Sequence, residues 1–326
     1  YGYDCDFVCD GRDTKISVFD VSERASPRLL RETVFSGSYI NSRRIDGAVF
    51  TVLHLPVAGM PSVPTWPAGV STCPDGWSRC GIERAFDDLL ESNRATIRRM
   101  DLPTWLASVR DTVHTGGVAR TTTEPLVGCD HVYVSDLADM RSMLAVVSFD
   151  ATALDPIGVT SVLGRPGAVY ASADALYVAS RHASGESGLY FPEADSYGMV
   201  TTVHKFALDA ELPAATYQAT GVAEGGILNQ FSLDEFDGRL RIATTSGHVP
   251  DPSVHSTLSV MEQTGGDLVV VGQLDDIAPT EDIRAVRFDG PRGFIVTFKK
   301  TDPLFALDLA DPRNPRIAGE LHIPGL

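Results

Sequence analysis

A hairpin pattern that occurs four times along the 326-residue chain constrains its fold more than any other feature. Each copy is a short strand pattern, a turn containing Asp or Gly, and a second strand rich in β-branched and aromatic residues. The copies are residues 38–53, 167–180, 227–245 and 283–298, and residues 129–135 repeat only the second half. A period of about 45–55 residues built from such hairpins is typical of propeller blades.

A second hairpin recurs between these copies, and its first strand ends on an acidic residue. It is clearest at residues 15–32 and 304–320, where an alternating strand, a turn and another strand follow one another. Further acidic ends fall at Asp150, Asp209 and Glu262, which gives a spacing of about 50 residues. We therefore interpret this element as the outer hairpin of one blade, followed by the inner hairpin of the next.

The sequence thus predicts an all-β fold, with residues 1–326 forming a single β-propeller domain of about four to five four-stranded blades. The long interval between Asp20 and Asp150 predicts an insertion at about residues 55–117, with one helix pattern from Ile82 to Met100. A ring of this size would be completed by further segments. An open ring exposes two sheet edges, which we expect at residues 14–21 and 317–323.

Four runs carry a resemblance to a known family: residues 37–43, 229–245, 296–305 and 311–321. They resemble a family of secreted bacterial and archaeal proteins whose C-terminal β-propeller is distantly related to WD40 repeats. The resemblance covers nearly the whole chain and implies a secreted or cell-envelope, extracytoplasmic protein. It also implies that family members extend beyond this sequence at both ends.

The net charge of the chain excludes one class of binding partner. A net charge of −16 argues against nucleic acid, because a phosphate backbone binds to a basic surface. No run of about 18 apolar residues occurs, so we expect no membrane-spanning helix.

Five cysteines favour disulfides and therefore an oxidising compartment. Cys73 and Cys80 enclose a Pro-Asp-Gly loop and are predicted to form a small disulfide. Either Cys5 or Cys9 would pair with Cys129, which leaves one thiol over. The alternative is a zinc site, but these spacings without nearby histidines fit zinc poorly.

Polar side chains on the predicted inner strands are the candidate ligand-binding residues of the central channel. They are Tyr39, Asn41, Arg43 or Arg44, Asn229, Gln230 or Ser232, and Arg284 or Arg287. Arg44 and Arg287 occupy matching places before an Asp-Gly turn, where two guanidinium groups would hold a carboxylate or a phosphate. The structural alternative is that these arginines bridge neighbouring blades through Asp234, Glu235 or Glu281.

Three acidic residues, Asp234, Glu235 and Asp237, form a candidate calcium site after the third inner strand. Their spacing is not that of an EF-hand, and acidic residues are also ordinary turn formers. Calcium is the only cofactor that the sequence suggests.

No motif identifies a catalytic residue, because neither a Gly-x-Ser-x-Gly elbow nor a His-Glu-x-x-His pair is present. We therefore expect a non-catalytic binding or scaffold module for a protein or glycan partner. That partner includes another subunit, or a segment of the same protein, pairing at the open sheet edges. The alternative is a hydrolase or lyase with its active site at the channel mouth, by analogy with other propellers.

Overall fold

The computed structural model describes residues 11–56, 63–70, 79–101, 106–135, 142–183, 199–247, 249–298 and 302–323. In these ranges the chain forms 22 strands and one α-helix, α1 (Arg79–Arg98). The strands are β1 (Thr14–Asp20), β2 (Arg28–Phe35), β3 (Ser38–Ile45), β4 (Ala48–Pro56), β5 (Ser108–Thr115), β6 (Val118–Pro125), β7 (Val132–Tyr133), β8 (Ser142–Asp150), β9 (Gly158–Leu163), β10 (Ala168–Ala171), β11 (Ala175–Ala183), β12 (Met199–Asp209), β13 (Ala214–Glu224), β14 (Gly226–Ile227), β15 (Leu233–Phe236), β16 (Arg239–Ser246), β17 (His255–Thr264), β18 (Asp267–Ile277), β19 (Asp282–Asp289), β20 (Arg292–Phe298), β21 (Asp302–Asp308) and β22 (Arg316–Ile323).

The strands form one partial and four complete blades, numbered here in chain order. The partial blade, called sheet 1, is β1-β2-β5-β6. Blade 2 is β3-β4-β8-β9, and β7 pairs outside β9. Blade 3 is β10 to β13, blade 4 is β15 to β18 with β14 also on β16, and blade 5 is β19 to β22. A single parallel pair, Thr220 with Asp267, joins blades 3 and 4 into one nine-stranded sheet. The predicted all-β propeller with four to five blades is confirmed.

The four copies of the repeated hairpin pattern form the inner hairpins of blades 2 to 5. In blade 4 the turn residues Asp237 and Gly238 have φ angles of 52° and 74°. A two-residue turn with positive φ follows the twist of the strands that it joins, which explains Asp and Gly in this turn. Asp46 in blade 2 and Gly290 in blade 5 have φ angles of 51° and 50°. The prediction that residues 129–135 repeat the second half of an inner hairpin is wrong. Residues 129–131 form a 3-10 turn, and β7 pairs in parallel with the outer strand β9.

Four apolar clusters lie between consecutive blades and hold them face to face. Fully buried members, in order from sheet 1 to blade 5, are Phe35 and Leu53, Phe50 and Phe206, Tyr177 and Leu240, and Leu258 and Ile295. The members of each cluster come from two neighbouring blades. The core of this protein is therefore a series of contacts between blades, as in other repeat architectures.

The insertion begins after β4, and the chain returns to blade 2 at Ser142. The helix predicted for Ile82 to Met100 is confirmed as α1 with bounds shifted by two to three residues. Residues 118–125, beyond the predicted insertion end at 117, form β6, whose hairpin with β5 is added to β2 and extends sheet 1 outward. No helix in the described ranges is long and apolar enough to cross a membrane.

The predicted disulfides fall largely outside the described residues. Cys5, Cys9 and Cys73 lie outside these ranges, Cys80 lies in the first turn of α1, and Cys129 begins the 3-10 turn Cys129–His131. The pairing of these five cysteines stays a prediction.

Candidate functional site

Within the described ranges, the strand β1 presents an open sheet edge. It is equivalent to β21, because each strand ends on an aspartate that accepts a hydrogen bond from an arginine eight residues later. The Asp20–Arg28 distance is 2.5 Å and the closest Asp308–Arg316 distance is 2.6 Å. β21 pairs with β22 on one side and with β20 on the other. β1 pairs with β2 on one side and has no neighbour on the other among the described residues. β1 thus borders the position that the inner hairpin occupies in a complete blade.

A cavity of about 480 Å³ runs along this open edge. Its lining residues are Arg12, Asp13, Thr14, Lys15, Ile16 and Ser17 on one side and Tyr39 and Ser42 from β3 on the other. The Thr14 hydroxyl donates to the carbonyl oxygen of Gly37 at 2.6 Å, and Lys15 pairs with Glu32 of β2 at 2.5 Å. These contacts fix β1 against β2 and the turn at Gly37, and they leave its other edge facing the cavity. Tyr39 is 54% exposed on the opposite wall.

Arg43 of β3 connects blade 2 with strand β10 of blade 3 and with the 3-10 turn Gln230–Ser232 that precedes β15 of blade 4. Its Nη2 donates to Oε1 of Gln230 in blade 4 at 2.8 Å and to the carbonyl oxygen of Val169 in blade 3 at 3.2 Å. Its Nη1 donates to Oδ1 of Asn41 at 2.6 Å, and Nδ2 of Asn41 reaches Gln230 at 3.3 Å. One guanidinium of blade 2 therefore links it to blades 3 and 4, and these polar groups satisfy each other.

The sequence favoured Arg44 over Arg43, whereas the structure gives this contact to Arg43. Adjacent residues of a strand point to opposite faces, so the choice depends on local register. A bulge between Tyr39 and Asn41 shifts that register. Arg44 is exposed and donates to the carbonyl oxygen of Asp46 at 2.7 Å. The sequence offered Arg43 and Arg44 as alternatives, and the choice between them depends on a bulge that the sequence pattern does not show.

The remaining predicted channel residues do not converge. Asn229 accepts a hydrogen bond from the backbone of Phe231 at 2.9 Å and caps the 3-10 turn Gln230–Ser232. The Arg287 guanidinium lies 4.2 Å from the centroid of the Phe231 ring. Arg284 lies 3.8 Å from the carboxylate of Asp282. The structure thus brings Asn41 together with Arg43 and Gln230, and it leaves Arg44 and Arg287 in separate contacts.

The three acidic residues of the candidate calcium site have three different partners. Asp234 forms an ion pair with Arg241, Oε2 of Glu235 accepts from the Ser172 hydroxyl at 2.6 Å, and Asp237 lies 3.3 Å from Arg239. Among the described residues, no group of three or more His, Cys, Asp or Glu side chains is arranged to hold a metal ion. The predicted cluster is therefore dispersed by the alternation of side chains along β15 and its turn.

Buried arginines bridge the boundaries between blades. Arg241 pairs with Asp234 and also donates to the carbonyl oxygen of Gly290 in blade 5 at 2.6 Å. Arg31 binds both carboxylate oxygens of Asp111 at 2.9 and 2.8 Å and donates to the carbonyl oxygen of Asp155 at 2.8 Å. Asp234 is thus used structurally, as the alternative interpretation stated, but its partner is Arg241.

Hydrogen bonding and burial explain the shifted pKa values. Hydrogen bonds from Ser22 and Arg28 lower the pKa of Asp20 to about 2. Burial alone would raise the pKa of Asp111, but hydrogen bonds from Arg31 and Thr33 and the charge of Arg31 hold it below its ordinary value. Burial raises the pKa of Tyr177, and the nearby charge of Glu235 adds to the effect. None of these groups lines the cavity along β1.

Comparison with known proteins identifies relatives over the whole chain. The family model described as "Beta propeller domain" matches residues 3–326. An uncharacterized protein of Archaeoglobus fulgidus is 45% identical over 125 residues, which are 38% of this chain and 18% of that protein. An uncharacterized protein of Methanocaldococcus jannaschii is 25% identical over 338 residues, covering 95% of this chain and 51% of that protein. The chain thus spans at most about half the length of these relatives.

Proposed function

The chain belongs to the beta propeller domain family, and we propose that it is a non-catalytic binding module that receives an extended polypeptide strand along β1. The observation that carries this proposal is the open edge of β1 beside the cavity of about 480 Å³. In strand addition, main-chain hydrogen bonds supply affinity and pockets for alternate side chains supply specificity. We further propose that the module acts outside the cytoplasm, in keeping with its predicted disulfides and its resemblance to secreted proteins.

The chemistry of the cavity supports binding over catalysis. Its described wall carries one carboxylate, Asp13, and no histidine, so it lacks the histidine or the pair of carboxylates that we expect at a hydrolase site. The polar groups of Arg43, Asn41 and Gln230 are satisfied by each other. These contacts are the bridges between blades that a rigid scaffold requires.

A polypeptide fits the edge better than a glycan does. Main-chain groups of β1 that do not bond β2 alternate along the strand, and a second strand offers donors and acceptors with the same spacing. Tyr39 and Ser42 line the cavity from β3, and we propose that they contact alternate side chains of such a strand.

Amide hydrogen exchange tests this proposal directly. We would compare the chain produced alone with the protein isolated from its natural source, together with whatever copurifies with it. If a strand pairs with β1, amides of Thr14–Asp20 that exchange rapidly in the chain alone become protected in the natural protein. The matched control is β12, which is flanked by β11 and β13 and is protected in both samples. Equal exchange of β1 in both samples would overturn the proposal.

Cross-linking from Lys15 then identifies the origin of the strand. Lys15 lines the cavity, and a cross-linked peptide from the same polypeptide indicates that the protein completes its own blade. A cross-linked peptide from another polypeptide indicates a separate partner.

A further inference from the structure

The helix α1 of the insertion has an incompletely covered apolar stripe. Phe86 meets the ring of Trp66 edge-on with centroids 5.1 Å apart, and Asn93 donates to the carbonyl oxygen of Pro64 at 2.8 Å. Beside this contact, Leu90 is 47% exposed and Ile97 is 40% exposed. Seven residues are close to two helical turns, so these two side chains lie on one line of the helix. The segment 63–70 therefore leaves an apolar stripe open.

A line of charges runs next to this stripe. Glu83, Asp87, Arg94 and Arg98 are spaced so that they lie within about 60° of each other around the helix. The first two are acidic and the last two are basic. If a second copy of this helix lies antiparallel to the first, the two lines of charge are complementary. Glu83 of one copy then faces Arg98 of the other, and Asp87 faces Arg94.

We propose that α1 is a self-association surface through which two copies of this chain pair their helices antiparallel about a two-fold axis near Leu90. In this register each charge pair forms twice, as a two-fold interface requires. Leu90 of one copy meets Leu90 of the other at the axis. The surface is distinct from β1, so this inference does not depend on the proposed strand binding.

The charges of the single chain are compatible with this pairing. Arg94 holds Glu91 of its own helix at 2.7 Å, three residues away. A guanidinium has five N–H donors, so Arg94 retains donors for Asp87 of the second copy. Glu83 also has a contact within its own chain. Its carboxylate has two acceptor oxygens, so it can also accept from Arg98 of the second copy. Every described side chain of α1 from Gly81 to Arg98 keeps some exposure, so the helix is accessible to a partner along its length. One helix pair is a small interface, and we expect association that depends strongly on concentration.

Sedimentation velocity over a range of protein concentrations tests this proposal. The wild-type chain is expected to form a dimer, and Asp87→Arg should raise the dimer dissociation constant by about tenfold or more because it places like charges opposite each other. The double variant Asp87→Arg/Arg94→Asp recreates both pairs with reversed signs and should regain dimerisation. A role for Asp87 in helix stability alone does not predict this recovery.

Asp88→Arg is the matched control. It makes the same charge change one residue later, about 100° further around the helix and away from the stripe. It should leave the dimer unchanged, whereas Leu90→Ser should weaken it. Circular dichroism of each variant checks that the helix is retained. A wild-type chain that stays monomeric at about 0.5 mM would overturn the proposal, since even weak specific pairs associate there. Equal effects of Asp87→Arg and Asp88→Arg, or a double variant that stays weakened, would also overturn it.

Discussion

The guanidinium of Arg241 donates a hydrogen bond to the carbonyl oxygen of Gly290, 2.6 Å away, across the boundary between blades 4 and 5. The same group pairs with Asp234, and the rings of Phe236 and Phe288 each lie 4.9 Å from it. Its side chain is only 4% exposed. Blades 4 and 5 belong to separate sheets, so side chains such as Arg241 supply the polar link between them.

Arg241→Met is expected to destabilise the fold by about 3–5 kcal/mol, because it leaves the partly buried Asp234 without its cation. Equilibrium unfolding in urea at pH 7 measures this loss. Arg239→Met is the control on the same strand, since Arg239 pairs with Glu262 nearer the surface. Arg239→Met should lower the free energy of unfolding clearly less than Arg241→Met does. Equal losses would contradict a particular role of Arg241 in joining blades 4 and 5.

The ion pair between Arg31 and Asp111 should make stability depend on pH in acid. The folded-state pKa of Asp111 is lowered, so its stabilising contribution is complete above its unfolded pKa of about 3.9 and is lost as the pH falls through the folded value. Asp20 and Asp308 also have lowered pKa values and act in the same direction. The contribution of Asp111 must therefore be isolated by comparison with a variant.

Asp111→Asn removes the charge and should cost about 1–3 kcal/mol at pH 7, where the buried Arg31 loses its counter-charge. The difference from wild type should shrink between pH 5 and pH 2 in urea unfolding, because wild-type Asp111 becomes protonated there. Asp130→Asn changes a carboxylate whose side chain is 81% exposed and serves as the control. A difference that stays constant with pH would contradict the assignment.

Gly272 marks a close approach between blades 4 and 5. A Cβ at this position would overlap the carbonyl oxygen of Pro312 and the backbone of Arg313. Gly272→Ala should therefore destabilise the fold by about 1–3 kcal/mol, since the backbone must shift. Gly319→Ala in β22, where an added Cβ meets nothing within 4 Å, should be neutral or stabilise by up to about 1 kcal/mol. Thermal unfolding of the two variants checks this contrast, and similar midpoints would refute it.

Gln230 is predicted to hold the inner strands of blades 2 and 4 together. Gln230→Ala removes the acceptor shared by Arg43 and Asn41 and should cost about 1–3 kcal/mol in urea unfolding. Gln263→Ala is the control, because Gln263 donates only to the carbonyl oxygen of Gly265 in its own exposed turn at 3.2 Å. An effect of Gln230→Ala no larger than that of Gln263→Ala would mean that the contact adds no stability.

Local patterns were sufficient to predict the blades. The four inner hairpins, the outer strands ending at Asp20, Asp150, Asp209 and Asp308, and the helix of the insertion all appear where the sequence indicated. Only at Glu262 does the strand continue, to Thr264. These features depend on side-chain alternation and on turn residues within a few positions of each other, and such information is contained in short stretches of sequence.

The sequence alone therefore determined a repeated all-β fold with an inserted helix, and the tertiary structure decided which residues meet. Arg43 rather than Arg44 contacts Gln230 because one bulge in β3 changes the face on which each side chain lies. The candidate calcium residues were separated because Asp234 and Glu235 point to opposite faces of their strand and find partners in different places. The contact from Arg43 to Gln230 joins positions 187 residues apart. No local pattern encodes that distance, since it is set by the packing of whole blades around the axis.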